Sequence, residues 1–353
     1  MAQNILTPAY ARQTKIVIPP PRLLAVSHDS SPYISFYDFD TSGSPGTPVR
    51  LSNPATLPNG VPANVRWSPN GRYLAVAQGL PRKITIYDFQ SGGPVKTADP
   101  ATLPISTTYG VDWTPDSRYL IAAGLGTTNC SIYDLQSGSP VLALTFSAGA
   151  NIYGVGWSNN GEIIALAVET SPYVKLYTWN HSAETVTARS NPATLPTGIG
   201  FACAWSPDDR YLAIAHNGSP IVTIYDWATV GSPGVPVKIA NPATLPVGQP
   251  LGASWSPDGR YLAIGHASSP YITIYDFQSG GPVKIANPST LPAGAGRATA
   301  WSPDGRYIAI AHTNSPRVTI YDMQTGVPVK IANPAVLPTG SYGYGVNWRP
   351  SWG

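Results

Sequence analysis

Four of the chain's five histidines close runs of one kind. His28 ends LLAVSH, His216 ends YLAIAH, His266 ends YLAIGH and His312 ends YIAIAH. Imidazole is a common metal ligand, so four equivalent rings first suggest a metal centre. Their spacing argues against it. Each ring belongs to a different copy of a repeated unit, and ligands about 2 Å from one ion cannot come from positions so far apart. No metal and no cofactor are expected. Each imidazole is instead expected to make a structural contact with a nearby Asn-Pro loop.

A second set of positions is tied to seven regularly spaced tryptophans, Trp67, Trp113, Trp157, Trp205, Trp255, Trp301 and Trp348. Four residues before each Trp the sequence reads Ala63, Tyr109, Tyr153, Phe201, Leu251, Arg297 and Tyr344. Aromatic rings at such places can stack on sugar faces or receive a partner's apolar side chain. Tyr109, Tyr153, Phe201, Arg297 and Tyr344 are therefore the expected ligand or partner face. The residue just before each Trp is mostly small, except Arg66, Asp112 and Asn347. These three are expected to form one polar side of a central channel, with Arg66 and Asp112 able to pair. Recognisable catalytic signatures are absent: there is no G-x-S-x-G elbow, HExxH, P-loop or Cys–His cluster.

What positions these residues is a repeat. The tryptophans are 46, 44, 48, 50, 46 and 47 residues apart. Between them recur Tyr37, Tyr87, Tyr133, Tyr177, Tyr225, Tyr275 and Tyr321, followed by Asp in every case but Thr178. Self-similarity at this period is the signature of propeller blades. In the clearest unit, strand a ends at Trp255 and an SPDG turn reverses the chain. Strands b, c and d are expected over residues 260–265, 272–277 and 282–286. Strand b is apolar throughout, as suits burial on both faces. Six of the connections from d to the next a carry an N/D-P-A/S-T/V-L-P segment, beginning at Asn53, Asp99, Asn191, Asn241, Asn287 and Asn333.

The ends are complementary. The first repeat has strands b, c and d (22–27, 34–39, 48–52) but no Trp strand, and residues 345–350 form a Trp strand with nothing after it. The C-terminus must supply the innermost strand of the first blade, closing the ring and removing free sheet edges. The expected fold is all-β: a seven-bladed β-propeller over residues 22–353, preceded by an extended N-terminal arm, residues 1–21. The WSPDGRYLAIA…TIYD pattern resembles the WD-repeat superfamily, particularly its YVTN-type and TolB-type relatives, over 22–353. It departs from a typical WD blade: Asn-Pro-Ala-Thr-Leu-Pro stands for Gly-His, Ser-Pro for the Asp of the b–c turn, and Tyr-Asp for Trp-Asp. The resemblance implies architecture and commonly a role in protein interaction, not one function.

Composition narrows the rest. The chain has 353 residues, with 11% charged, a net charge of +3, 38 Pro and 34 Gly. No Lys/Arg-rich element suggests a nucleic-acid partner, no apolar run is long enough to span a membrane, and no secretory signal is visible. The chain is expected to be made in the cytoplasm. Cys130 and Cys203 fall in blades separated by a whole blade, beyond disulfide reach, so both are expected as buried thiols. The sequence thus predicts a non-catalytic interaction or structural module in a larger assembly, such as a phage virion or tail. Its protein partner would dock through the N-terminal arm and the face of d–a and b–c loops. A lectin-like module binding glycan or peptide at the aromatic mouth is the first alternative. A propeller hydrolase or lyase is the last, with Asp112 the one acid before a repeated Trp.

Overall fold

A computed structural model describes residues 23–39, 47–81, 83–104, 106–227 and 236–350. The expected arm, residues 1–21, lies outside the described residues. These carry twenty-eight strands, from β1 (Leu23–His28) to β28 (Gly343–Trp348), and no helix. The strands form seven four-stranded antiparallel sheets. In the first, β28 pairs with β1, which pairs with β2 (Ile34–Asp38) and then β3 (Val49–Arg50). The ring is closed by its C-terminal strand. Blades are numbered 1–7 from this sheet in chain order, and strands a–d run outward from the channel.

Each strand reflects its sequence. In blade 6, strand b is Tyr261–His266 and is buried along its whole length, because neighbouring blades cover both its faces. Strand c is Ile272–Asp276, and strand d shrinks to Val283–Lys284. Outer strands of two residues present little unpaired edge. They are shorter than the 282–286 expected because the Asn-Pro segment takes over the chain.

The apolar cores lie between blades rather than within one. Tyr261, Ala263, Ile272 and Ile274 of blade 6 pack on Trp301, Ile308, Ile310 and Tyr321 of blade 7. The tyrosine opening strand b stacks on the next blade's tryptophan: Tyr73 on Trp113 at 5.9 Å, Tyr211 on Trp255 at 5.8 Å and Tyr261 on Trp301 at 5.7 Å between ring centroids. Indole N–H groups then staple blades together. Those of Trp113, Trp205, Trp255, Trp301 and Trp348 donate to the carbonyls of Arg66, Gly156, Ala204, Ser254 and Ala300 at 3.1–3.3 Å. Cys130 and Cys203 are free and buried.

The Asn-Pro segments are clamped twice. The Tyr87, Tyr133, Tyr225, Tyr275 and Tyr321 hydroxyls donate to the carbonyls of Thr56, Thr102, Thr194, Thr244 and Thr290 at 2.8–3.0 Å, and Tyr37 donates to Val336 across the closure. Lys284 and Lys330 of the short outer strands bind Asn287 and Asn333. On the opposite face, each SPDGR-type arginine pairs with the Asp ending strand c, as in Arg72–Asp88 and Arg260–Asp276. The turn aspartates bond their own serine hydroxyl and the arginine N–H instead, as Asp258 does with Ser256 and Arg260.

Candidate functional site at the channel mouth

Every innermost strand carries a β-bulge at the residue four before its Trp. In blade 6, Pro250 pairs with His266 and Gly252 with Gly265, which leaves Leu251 unpaired between them. The same shift brackets Ala63, Tyr109, Tyr153, Phe201 and Arg297, and pairing is likewise irregular between strands b and a of blade 1, beside Tyr344. A bulge bends the strand and re-aims a side chain; here it turns this ring of residues into the channel. In blades 4 and 6 the position after the bulge must be small. A Cβ on Gly154 would lie 2.7 Å from Ala202 Cα, and one on Gly252 2.8 Å from the Arg297 carbonyl.

The bulge residues line a cavity of about 530 Å³. Tyr109, Tyr153 and Phe201 form an arc, with centroids 5.5 Å apart at each step and the Tyr153–Phe201 planes only 27° apart. On the other side of the ring, Arg297 lies over Tyr344 at 4.6 Å and Tyr342 at 5.4 Å. Its Nε is buried without a hydrogen-bond partner, and no carboxylate pairs with it among the described residues. The Tyr153 hydroxyl donates to Glu169 Oε1 at 3.4 Å, while Asn151 Nδ2 donates to Oε2 at 2.7 Å. Burial, reinforced by the Glu169 charge, raises the Tyr153 pKa and keeps the hydroxyl protonated.

An ion pair stands between this cavity and a second one of about 380 Å³ opening toward the SPDGR face; Arg66 lines both. Arg66 Nε donates to Asp112 Oδ1 at 2.9 Å, and the Trp157 N–H donates to Asp112 Oδ2 at 2.7 Å. The Trp67 N–H likewise donates to Asn347 Oδ1 at 2.9 Å. The three polar residues therefore link blades 1 to 4, and both carboxylate oxygens of Asp112 are engaged.

The histidines lie elsewhere and differ from expectation. Their Nε2 atoms meet hydroxyls on strand c of the same blade: His28 with Ser35 at 2.8 Å, His216 with Thr223 at 2.8 Å, His266 with Thr273 at 3.0 Å and His312 with Thr319 at 2.9 Å. In His266 and His312, Nδ1 faces the carbonyls of Ser268 and Thr313, which fixes Nδ1 as the donor and Nε2 as the acceptor. His28 also reaches toward a d–a loop, through Thr339 at 3.2 Å, and His266 toward the Val247 backbone. The Asn-Pro segments are not the general partners because the tyrosine and lysine clamps hold them. Among the described residues, no three His, Cys, Asp or Glu side chains are grouped to hold a metal ion. No helix among them is long and apolar enough to cross a membrane.

Sequence reasoning passed over Glu169, Asn151 and Tyr342. The one available signal was Glu169 itself, an acid one residue after the end of strand b, where blades 2, 3, 5, 6 and 7 have Gly79, Leu125, Asn217, Ala267 and Thr313 and only blade 1 has another acid, Asp29.

Comparison with known proteins locates the chain further. A family model described as "Lactonase, 7-bladed beta-propeller" matches residues 21–280. No curated protein matches the sequence. Solved structures with the same architecture include two proteins provisionally assigned as 6-phosphogluconolactonases. One is from Bacteroides uniformis (TM-score 0.74, 17% identity, 93% of this chain and 99% of that one), the other from Bacteroides fragilis (0.73, 13%, 93% and 98%). A third is the periplasmic gluconolactonase PpgL of Pseudomonas aeruginosa (0.68, 19%, 93% and 99%). At such identities the likeness is one of fold. The WD-repeat resemblance holds only at the level of the propeller superfamily. The family match also overturns the expectation of a non-catalytic structural, interaction or virion module: the matched family is one of enzymes. Local motif searches misled because the mouth residues come from separate blades and form no contiguous signature. Spanning most of the sequence, the match places the chain in the lactonase family of seven-bladed β-propellers.

Proposed function

We propose that the protein hydrolyses a lactone at the channel mouth. Beyond family membership, the observation that supports this most is Arg297. A guanidinium held by two tyrosine faces, with no acid to neutralise it, suits the negative charge that develops on a carbonyl oxygen under attack. In this reading a water between Tyr153 and the bound lactone attacks the carbonyl carbon. Its proton passes to the Tyr153 oxygen as the Tyr153 proton moves to Glu169. Arg297 holds the tetrahedral oxyanion. Collapse breaks the ring C–O bond, and the leaving alkoxide takes the proton back through the same pair, giving the open hydroxy acid. The 3.4 Å Tyr153–Glu169 separation is long for proton transfer and would tighten on binding. The floor pair, Arg66–Asp112, carries no net charge and acts as a wall.

The test is acid release from a panel of five- and six-membered lactones, followed at constant pH. Arg297→Met and Glu169→Gln should each lower kcat/KM by about 100-fold or more, the loss typical of removing an oxyanion donor or a catalytic base, with melting unchanged. Full activity in both variants would reject this site.

A further inference from the structure

We infer that the mouth selects lactones carrying an apolar, planar substituent over phosphorylated or polyhydroxylated sugar lactones; this rests on the lactonase reading and adds its substrate class. The first argument is charge. Among the described residues, Arg66 and Arg297 are the only charged ones lining the cavity, and Asp112 neutralises Arg66. One uncompensated guanidinium matches a single developing oxyanion. A phosphate monoester carries nearly two negative charges at neutral pH, and burying these beside one cation that the reaction already uses leaves charge unpaired.

The second argument is the supply of hydrogen bonds. A sugar lactone brings several hydroxyl groups that need partners once desolvated. Among the described residues the lining holds no carboxylate and one amide, Asn64, whose Oδ1 already accepts from the Val65 N–H at 2.8 Å; beyond these it offers only the single hydroxyls of Thr107, Tyr109, Tyr344 and Thr299, the last bound to Ser254. The Tyr153 hydroxyl is taken by Glu169.

The third is shape. Tyr109, Tyr153 and Phe201 continue into Leu251 around the ring, and all four are half-buried at bulges that fix their direction. The nearly parallel Tyr153 and Phe201 rings offer faces and edges on which a flat group can stack. Arg297 lies in blade 7 and Tyr153 in blade 4, so a lactone whose carbonyl is shared between them sets its substituent against the part of the arc in the blades between, Phe201 and Leu251.

The experiment compares kcat/KM for four δ-lactones: δ-valerolactone, 5-phenyl-δ-valerolactone, glucono-1,5-lactone and its 6-phosphate. The phenyl compound should exceed δ-valerolactone by about tenfold, the gain expected from one aromatic contact plus its buried area, and should exceed both sugar lactones. Phe201→Ala should cut the phenyl-to-unsubstituted ratio several-fold. Calorimetric titration with 6-phenyl-2-piperidone, the hydrolysis-resistant lactam with the phenyl group at the same ring position, reads the same subsite without chemistry. Lactam binding that weakens in Phe201→Ala, with no lactone hydrolysed, would leave the subsite standing and reject the hydrolase. Hydrolysis that favours the 6-phosphate, or shows no phenyl preference, would overturn the inference and keep the hydrolase.

Discussion

The four buried histidines predict a protein that loses stability on mild acidification. Burial pushes the imidazoles of His28 and His216 down to about 4 from an ordinary 6.5, and moves His266 and His312 in the same direction. In His266 and His312 the neutral ring is the one the fold accepts, since Nδ1 donates to a carbonyl and Nε2 accepts from a hydroxyl. Between pH 6.5 and 4 the unfolded chain therefore binds more protons than the native one. Stability is fully present above about 6.5 and falls as pH drops toward the native value. For His28 and His216 the loss from pH 7 to pH 5 is about 2 kcal/mol each, with His266 and His312 adding to it. Carboxylates such as Asp276, which Arg260 holds below its usual range, act only at lower pH. The urea midpoint measured at pH 7, 6 and 5 reads this directly. The control is already built into the molecule. Blade 2 has Gln78 at the equivalent position, with Thr85 donating to its Oε1 at 3.4 Å and its Nε2 donating to Asn59 at 3.1 Å. Changing all four histidines to Gln should keep the fold and flatten the dependence between pH 7 and 5. An equally steep fall in that variant would refute the assignment of acid sensitivity to these rings.

Tyr275→Phe removes the bond to the Thr244 carbonyl and should cost about 1 kcal/mol; thermal unfolding reads the loss, and amide exchange should rise in the Asn241 loop before the rest of blade 6. Truncation after Gly340 deletes the strand Gly343–Trp348, which supplies the inner pairing of blade 1 and the Trp348 staple to Ala300. Its product should lose the cooperative transition seen by calorimetry, and a transition like that of the full chain would refute ring closure.

The architecture was legible because it is written seven times. Trp spacing, SPDG turns and the orphan strands at the two ends each report a constraint that any closed ring of four-stranded blades must meet. The site was legible only in part, and the reason is geometric. Counting back from each Trp located the bulge ring, including Tyr109, Tyr153, Phe201, Arg297 and Tyr344, because the bulge holds a fixed register. Glu169 was not found by the same counting. It sits on a b–c connection, and the Asn151 and Tyr153 groups that bind it belong to the strand-a approach of the same blade. Their meeting is a product of the blade's fold, with no periodic trace in sequence.

Repetition itself also biased the functional reading. A residue present in most blades, such as the SPDGR arginine or the strand-b histidine, draws attention by recurrence, yet recurrence is what a role in every blade produces. Each repeated arginine pairs with the aspartate sixteen residues on, and each repeated histidine meets a hydroxyl seven residues on. A single asymmetric ligand on the channel axis needs the opposite, residues that occur once at a position otherwise filled by something inert. Arg297, where other blades have Ala63 or Leu251, meets that description, and Glu169 meets it through its bond to a mouth tyrosine hydroxyl, since the equivalent Asp29 of blade 1 accepts from the backbone N–H groups of Ser341 and Tyr342 instead. In a closed repeat, the departures from the repeat are where chemistry specific to one substrate has to be placed.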